Sequence, residues 1–138
     1  MGSLGEYDVV VVGGGPIGAV ASRIAARQGA KVLLIEQRER PIYPRRCTGI
    51  ISPRCLQEAE LDHQVVLREI RGGRVYAPNG HALKIRAEEP RAVVIDRELL
   101  IARLLEMAQR EGVEFINRCK AVGVDGSYLI VQRGGGSQ

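Results

Sequence analysis

Aromatic residues are scarce in this chain of 138 residues, which has no tryptophan, one phenylalanine and four tyrosines. Proteins that hold single-stranded nucleic acid stack its bases on aromatic side chains, and the sequence offers little for such a platform. The net charge of +4 comes from arginines scattered along the chain, which we interpret as a solvated surface. We therefore predict no nucleic-acid partner.

Long hydrophobic runs are also missing. The apolar run Val9–Val12, within the first predicted strand, is far shorter than the roughly 18 residues of a membrane span. The first residues, "MGSLGEYD", lack the basic and apolar regions of a secretory signal. These features predict a cytoplasmic protein without a transmembrane segment, and they leave open a peripheral contact with a membrane.

Cysteine and histidine are few. The three cysteines, Cys47, Cys55 and Cys119, form an odd set in a chain without a secretory signal, which indicates reduced thiols. The two histidines are isolated from the cysteines and from each other. We therefore predict no metal site.

Residues 7–36 have the pattern of a β-α-β unit. The β-branched run in "YDVVVVGG" predicts a buried strand, and Pro16 stands where a helix tolerates proline. In the helix, Gly29 is the predicted terminator. "KVLLIE" predicts a second buried strand, parallel to the first because a helix connects the two. One helix face is predicted to carry the apolar residues Ile17, Ala21, Ile24 and Ala25.

The rest of the chain alternates loops, strands and one long helix. "QRERPIYPRRCTGI" predicts a long loop, and Ser52 with Pro53 begins a short helix. A β-rich insertion is expected over roughly 65–95, with a hairpin turn at Asn79-Gly80. Asp96 and Gly112 bound a helix with a stripe of Leu99, Leu100, Leu104 and Met107, and further strands follow.

These elements predict a Rossmann-like α/β domain with crossover helices. Its parallel sheet is expected to comprise residues 7–12, 31–35 and 113–116, and the small β-rich segment is an insertion in it. The domain is expected to cover residues 1–133. The glycine-rich end, 134–138, is predicted to be a flexible tail.

Three glycines in the first turn carry the functional signal. Gly13, Gly15 and Gly18 match G-x-G-x-x-G, in which the glycines allow a tight turn, a close approach of pyrophosphate, and close helix packing. The helix N-terminus then offers N–H groups and a positive dipole end to phosphate. Glu36, 23 residues after Gly13, ends the second strand, where a carboxylate accepts bonds from ribose hydroxyls. The pattern predicts a dinucleotide site that disfavours NADP.

The segment "YDVVVVGGGPIGAVASRIAARQGAKVLLIEQR" resembles the start of FAD-dependent oxidoreductases with the glutathione-reductase-like fold. "RRCTGIIS" narrows the resemblance to the geranylgeranyl reductase family, flavoproteins that saturate isoprenoid chains, although the glycine of "CTGIIS" stands one place later than in the family's pattern. "VVIDRELLIARLLEMAQREGVEF" is a further match. Members of that family are much longer, so the resemblance implies that this chain is the N-terminal part of such an enzyme, incomplete relative to the family.

The resemblance also implies which residues contact FAD. Cys47 would lie by the flavin ring and is the candidate catalytic residue, although a plain loop role is equally open. Arg46 is a candidate phosphate ligand, although a solvated loop charge is the more ordinary interpretation. Arg97 would contact the phosphate or ribose region, and Ala121 would contact the adenine through its backbone. The full set of expected cofactor contacts is Gly13, Gly15, Pro16, Ile17, Gly18, Glu36, Gln37, Arg46, Cys47, Thr48, Ile50, Arg97 and Ala121.

Three functions remain open at this point. The first is a flavin-dependent reductase of isoprenoid double bonds, with FAD as cofactor and an isoprenoid lipid as partner of the full-length protein. The second is a relative resembling flavin monooxygenases. The third is a non-catalytic dinucleotide-binding module or fragment. In each case this chain alone is expected to show little or no turnover.

Overall fold

The computed structural model describes residues 4–40 and 48–134. The chain divides into two compact units, Met1–Tyr43 with Ile101–Gln138, and Pro44–Leu100. Among the described residues, no helix combines the length and the apolar character that crossing a membrane requires.

The first unit contains the predicted parallel sheet. Its strands are β1 (Val9–Val12), β2 (Val32–Ile35) and β8 (Glu114–Ile116), in the order β1-β2-β8. Val9 of β1 pairs with Val32 of β2, and Ile35 of β2 pairs with Ile116 of β8. Both pairings are parallel, so the predicted Rossmann-like sheet is confirmed. The central strand β2 is buried throughout, as a strand with a neighbour on each side should be.

Helix α1 (Pro16–Arg27) connects β1 to β2 and begins at Pro16, as predicted. It ends just before Gly29, whose φ of +88° is the left-handed conformation typical of a helix stop. The apolar face predicted for α1 is not the face that packs against the rest of the unit. Ile17 is 82% exposed and Ile24 is 52% exposed, and the buried residues of the helix are Ala19, Ser22 and Arg23.

Small side chains explain the difference on α1. Ala19 and Ser22 let the helix approach the sheet closely, which a row of isoleucines would prevent. The arginine on the same face is accommodated because Arg23 donates from Nη1 to the Met107 sulfur at 3.4 Å. Strand β1 is also less buried than predicted, with Val12 57% exposed, because β2 is its only strand neighbour among the described residues.

Helix α3 (Arg97–Arg110) begins and ends as predicted. The Asp96 carboxylate accepts the Leu99 N–H at 3.0 Å, which makes Asp96 the N-cap. Gly112 follows the helix with a φ of +93°. The predicted stripe is partly right, since Leu100 and Leu104 are buried but Leu99 and Met107 only half-buried. The buried residues of the helix are Leu100, Ile101, Leu104, Leu105 and Ala108.

An antiparallel pair follows the sheet in the first unit. It consists of β9 (Cys119–Asp125) and β10 (Tyr128–Arg133), which confirms the predicted further strands. The buried Cys119 packs with Leu33 and Ile35 of β2, so this pair shares the core of the parallel sheet. Residues packed around that core are Leu4, Tyr7, Ile116, Ala121, Leu129 and Val131.

The second unit contains the predicted β-rich insertion. A sheet of order β3-β7-β4 comprises Ile50–Ile51, Ala92–Ile95 and Val66–Ile70, all antiparallel. The predicted short helix is present as α2 (Pro53–Glu58), with Ser52 as its N-cap, and a 3-10 turn (His63–Val65) leads into β4. Strand β3 lies where a loop was predicted, because its two residues pair with Val93 and Val94 of β7.

A two-stranded hairpin completes the second unit. Strands β5 (Gly72–Tyr76) and β6 (Ala82–Arg86) are antiparallel and joined by residues 77–81. Gly80 has a φ of +86°, and the Ala77 N–H donates to the His81 carbonyl at 2.8 Å. The hairpin predicted at Asn79-Gly80 is therefore confirmed.

Candidate dinucleotide-binding site

The glycine turn follows β1 directly and bends the chain into α1. Gly13 has a φ of +108°, a conformation that residues with a Cβ rarely adopt. Its N–H donates to the Ile35 carbonyl at 2.8 Å, so the turn is held against the end of β2. The first glycine therefore has the conformational role that the sequence pattern assigned to it.

Gly18 and Gly14 are required by packing. A Cβ at Gly18 would overlap the carbonyl oxygen of Gly13, which explains why the first turn of α1 can lie so close to the glycine turn. A Cβ at Gly14 would lie 3.1 Å from the Glu36 Cβ and 3.2 Å from the Phe115 ring. Gly14 was missed as a site residue because the G-x-G-x-x-G pattern leaves its position free, although three consecutive glycines were the available signal.

The start of α1 presents a helix N-terminus without a side-chain cap. Gly15 is the N-cap with extended backbone, and its carbonyl accepts the Ala19 N–H at 2.9 Å. Pro16 is the first helical residue, and no acidic residue lies in the first turn. The positive end of this helix is therefore not neutralised within its own first turn, an arrangement suited to a phosphate group. The Ile17 side chain points to solvent.

Glu36 is the best-anchored polar residue of the site. It is only 7% exposed, and its two carboxylate oxygens accept different backbone N–H groups. Oε2 accepts from Gly14 at 2.9 Å, and Oε1 accepts from Arg38 at 2.9 Å. A carboxylate offers about four acceptor positions, so these two bonds leave capacity for two further donors. The strand-end acid and the glycine turn are thus directly bonded to each other.

A polar groove lies beside Glu36 in the same unit. Gln37 forms one of its walls, and Lys120, which precedes Ala121 on β9, forms another. Its volume is about 470 Å³. The Ala121 side chain packs on the core, so only its backbone is available for the contact that was predicted. The groove residues are Gln37, Arg38, Arg118, Lys120, Gln132 and Gly134.

The second unit brings together three of the predicted residues. The Ile95 N–H donates to the Gly49 carbonyl at 3.0 Å, which places Thr48 and Ile50 on either side of that bond. A Cβ at Gly49 would lie 3.6 Å from Cγ of Arg97 and 3.1 Å from the Ile95 carbonyl. Residues about 50 positions apart in the chain therefore meet through the β3–β7 pairing.

Gly49 is a further residue of this group that was not predicted from the sequence. Its φ of +70° and its burial against Ile95 require glycine there, and the glycine of "CTGIIS" was the available signal. Arg46 and the candidate catalytic residue Cys47 lie outside the described residues, and their predicted roles stay predictions.

Tyr7 shows how β1 and β8 are linked at their start. Its hydroxyl donates to the Glu114 carboxylate at 2.6 Å, and this bond raises the pKa of Tyr7 above its usual range. Lys31 lies 4.9 Å from the centre of the Tyr7 ring. These contacts fix the end of the sheet opposite to the glycine turn, so we assign them to the scaffold.

A parallel strand, a glycine turn, a helix with a free N-terminus and a carboxylate ending the next strand define a dinucleotide-binding α/β protein. Comparison with known proteins identifies the family. The family model described as FAD dependent oxidoreductase matches residues 8–132, so the chain belongs to the FAD dependent oxidoreductase family. This membership confirms FAD as the expected cofactor.

Two relatives also confirm the resemblance to geranylgeranyl reductases. The digeranylgeranylglycerophospholipid reductase 1 of Methanococcoides burtonii is 32% identical over 86% of this chain and 30% of its own length. The crystal structure of a geranylgeranyl bacteriochlorophyll reductase-like protein from Thermoplasma acidophilum is 31% identical, with a TM-score of 0.78 over 89% of this chain and 33% of that one. The chain thus spans about a third of the length of these relatives.

A third comparison concerns the fold alone. A myxobacterial chondrochloren halogenase, described as a FAD-dependent halogenase, is 20% identical with a TM-score of 0.71. The match covers 92% of this chain and 33% of the halogenase. The FAD-binding fold is therefore shared with enzymes of different chemistry, and it does not by itself choose among them.

Proposed function

We propose that this chain holds the ADP half of FAD in a flavin-dependent reductase of isoprenoid lipids. The observation that carries the proposal is the bond between the Gly14 N–H and the Glu36 carboxylate at 2.9 Å. It joins the turn that would receive the pyrophosphate to the acid that would receive the ribose hydroxyls. The two halves of the site are therefore held in a fixed arrangement before a ligand binds.

The residues present fit this part of the cofactor. Gly13 has a positive φ that residues with a Cβ rarely adopt, so the turn carries no side chain at that position. Gly18 leaves room for the first turn of α1 to lie against the glycine turn. The free N-terminus of α1 suits the negative pyrophosphate. Glu36 keeps acceptor capacity for two hydroxyls and would repel a 2′-phosphate. Gln37 and Lys120 line the groove proposed for the adenine, and the backbone of Ala121, the residue after Lys120, is the further proposed contact.

In the proposed reaction, reduced flavin would supply a hydride to one carbon of the double bond, and a proton from another donor would complete saturation at the other carbon. The chain's own residues would bind and orient. Thr48, Ile50 and Arg97 form the second proposed group of cofactor contacts. Arg97 would bring a positive charge toward phosphate or ribose. Cys47 is the proposed catalytic residue near the reacting alkene.

The isoprenoid substrate is proposed from the relatives. One is named a digeranylgeranylglycerophospholipid reductase, at 32% identity, and the other is described as geranylgeranyl bacteriochlorophyll reductase-like, at 31% identity. The halogenase is only 20% identical and supports the fold alone, so a monooxygenase-like reaction is the weaker candidate. A non-catalytic module remains the third candidate. Because the chain spans a third of its relatives, we expect it to bind FAD weakly and to show little or no turnover by itself.

Titration of the purified chain with FAD and with NAD tests the binding role. We expect FAD to bind more tightly, and Glu36→Ala to weaken that binding at least about tenfold, or ~1.4 kcal/mol. Tighter binding of NAD, or an unchanged affinity for FAD in Glu36→Ala, would contradict the proposal.

A second assay tests whether this chain alone carries out the reductase reaction. The chain is incubated without oxygen with dithionite-reduced FAD and a geranylgeranyl lipid, and mass spectrometry counts added hydrogens. We expect no more hydrogen to be added to the lipid double bonds than in a protein-free control. Saturation at enzymatic rates would show that these 138 residues suffice for the reaction.

A further inference from the structure

The hairpin of β5 and β6 is exposed along its whole length. All ten residues of its two strands are exposed, unlike those of any other strand pair in the described part of the chain. A two-stranded hairpin is marginally stable in water unless its apolar side packs against something. This hairpin therefore presents a surface that a partner would stabilise.

The two faces of the hairpin differ in chemistry. Arg74 pairs with Lys84 and Gly72 pairs with Arg86, so the three cations share one face. Val75 pairs with Leu83 and Gly73 pairs with Ile85, so three aliphatic side chains share the other face. Each of these aliphatic side chains is more than half exposed. The hairpin is therefore an amphipathic ribbon.

The charged side chains of the hairpin are all positive. Residues 72–86, "GGRVYAPNGHALKIR", contain three cations and no aspartate or glutamate. Arg74 and Lys84 lie directly opposite each other, an arrangement of like charges that destabilises a strand pair. A groove of about 300 Å³ runs along this part of the hairpin, lined by both residues and Arg86. An anionic partner would relieve the repulsion.

We propose that the β5–β6 hairpin docks on an anionic lipid surface. The apolar face, Val75, Leu83 and Ile85, would enter the boundary between headgroups and acyl chains, and Arg74, Lys84 and Arg86 would lie at the level of the lipid phosphates. The inference rests in part on the proposed function, because a reductase of phospholipid chains meets its substrate in a membrane.

A lipid surface accounts for more of these features than other partners do. A nucleic acid would use the cations and leave the aliphatic face exposed. A second copy of this chain would cover the aliphatic face and leave the cations on the opposite face without an anionic partner, since each hairpin carries three cations and no acid. The uncharged turn at Pro78–Gly80 also allows the tip of the ribbon to approach headgroups without burying a charge.

Vesicle co-sedimentation with the full chain tests the proposal. One set of vesicles contains phosphatidylcholine with phosphatidylglycerol, and the other contains phosphatidylcholine alone. We expect binding to the anionic vesicles only, and we expect it to weaken as salt rises, because the Debye length shortens from about 10 Å at 0.1 M to about 3 Å at 1 M. Equal binding to both sets, or to neither, would overturn the proposal.

Two hairpin variants locate the surface. The triple variant Arg74→Gln, Lys84→Gln, Arg86→Gln should reduce partitioning on the order of 100-fold, and Leu83→Ser with Ile85→Ser should reduce it at least about tenfold. The matched control removes three exposed cations elsewhere: Arg54→Gln, Arg110→Gln and Arg133→Gln. If this control loses as much binding as the hairpin variant, net charge is responsible and the hairpin is not the docking site.

Two further measurements complete the test. FAD affinity measured on the same samples should be unchanged in the hairpin variants. A wild-type chain that binds FAD but does not bind the anionic vesicles overturns the docking surface and leaves the proposed function standing, whereas a wild-type chain that binds the vesicles but not FAD contradicts the proposed function alone. Light scattering reports the mass in solution, and a dimer that disappears in Leu83→Ser with Ile85→Ser would assign the apolar face to a second copy.

Discussion

Replacing Glu36 by glutamine separates the structural and the binding roles of that carboxylate. Glutamine has nearly the same shape but only one acceptor oxygen, whereas Glu36 accepts from Gly14 and from Arg38 with different oxygens. In Glu36→Gln one of these N–H groups must face an NH₂ group. Because the position is buried, water replaces the lost acceptor poorly.

The expected losses of stability and of FAD affinity in Glu36→Gln follow from these two hydrogen bonds. A hydrogen bond to a charged group contributes about 1.5–3 kcal/mol, so the loss of one should lower the free energy of unfolding by about 2 kcal/mol. FAD affinity should fall about tenfold as well, since the remaining oxygen is neutral and already accepts a backbone N–H. Urea unfolding followed by circular dichroism measures the first quantity, and calorimetric titration with FAD measures the second.

Glu39→Gln is the matched control. Glu39 carries the same charge three residues away, and its exposed carboxylate pairs with Arg118 at 2.9 Å. We expect it to change stability by no more than about 0.5 kcal/mol. If Glu36→Gln unfolds at the same urea concentration as the wild type, our account of the bonded turn is wrong. If it is destabilised yet binds FAD with unchanged affinity, the ribose role of Glu36 is refuted.

Three further substitutions test other parts of the fold and site. Gly18→Ala should abolish measurable FAD binding and destabilise the chain, because its Cβ would overlap the Gly13 carbonyl oxygen, while Gly73→Ala, which has open space around its Cβ, should leave FAD titration unaffected. Gly49→Ala should cost roughly 1–2 kcal/mol in urea unfolding because its φ is +70°, and no loss would mean that the backbone relaxes there. Tyr7→Phe should lower the free energy of unfolding by about 1 kcal/mol at pH 7. Since the bond to Glu114 raises the folded-state pKa of Tyr7, this difference should persist below the unfolded pKa of about 10 and disappear as pH rises through the folded value, and a difference independent of pH would contradict the assignment.

The sequence predicts the order and type of the elements well in this chain. The β-α-β unit, the hairpin at Asn79-Gly80 and the caps at Ser52 and Asp96 all follow from local rules, in which neighbouring residues determine the backbone. Each of these signals lies within a few residues of the feature it specifies. Such features can be predicted before any long-range contact is known.

Burial was predicted less well because it depends on packing partners. The apolar spacing on α1 pointed to Ile17 and Ile24, but the face that packs is the one with Ala19 and Ser22. Helical periodicity indicated only the face with Ile17 and Ile24, whereas the demand for close approach to the sheet favours the face with the smaller side chains. That demand becomes visible only when the distance from Gly18 to the glycine turn is known.

In the candidate site, too, the features that depend on local sequence were predicted and those that depend on packing were not. Gly13, Gly18 and Glu36 were predicted from their spacing, and their conformations and contacts suit the proposed roles. Gly14 and Gly49 were missed because residues far along the chain, Glu36 and Ile95, limit the space at each, and no sequence pattern marked the positive φ of Gly49. A motif records which positions approach a ligand, and it does not record which positions approach the rest of the protein.

The bond between Gly14 and Glu36 also bears on how much protein the cofactor needs. The turn, the helix N-terminus and the strand-end acid lie within 24 residues of one unit, and Gly13 and Gly14 are each bonded to the end of β2. A site organised in this way depends on the β1-α1-β2 arrangement and not on a distant segment. The proposed contacts at Thr48, Ile50 and Arg97 belong to the second unit. The ADP half should therefore bind to the first unit in weakened form even when the contacts proposed for the rest of the cofactor are lost.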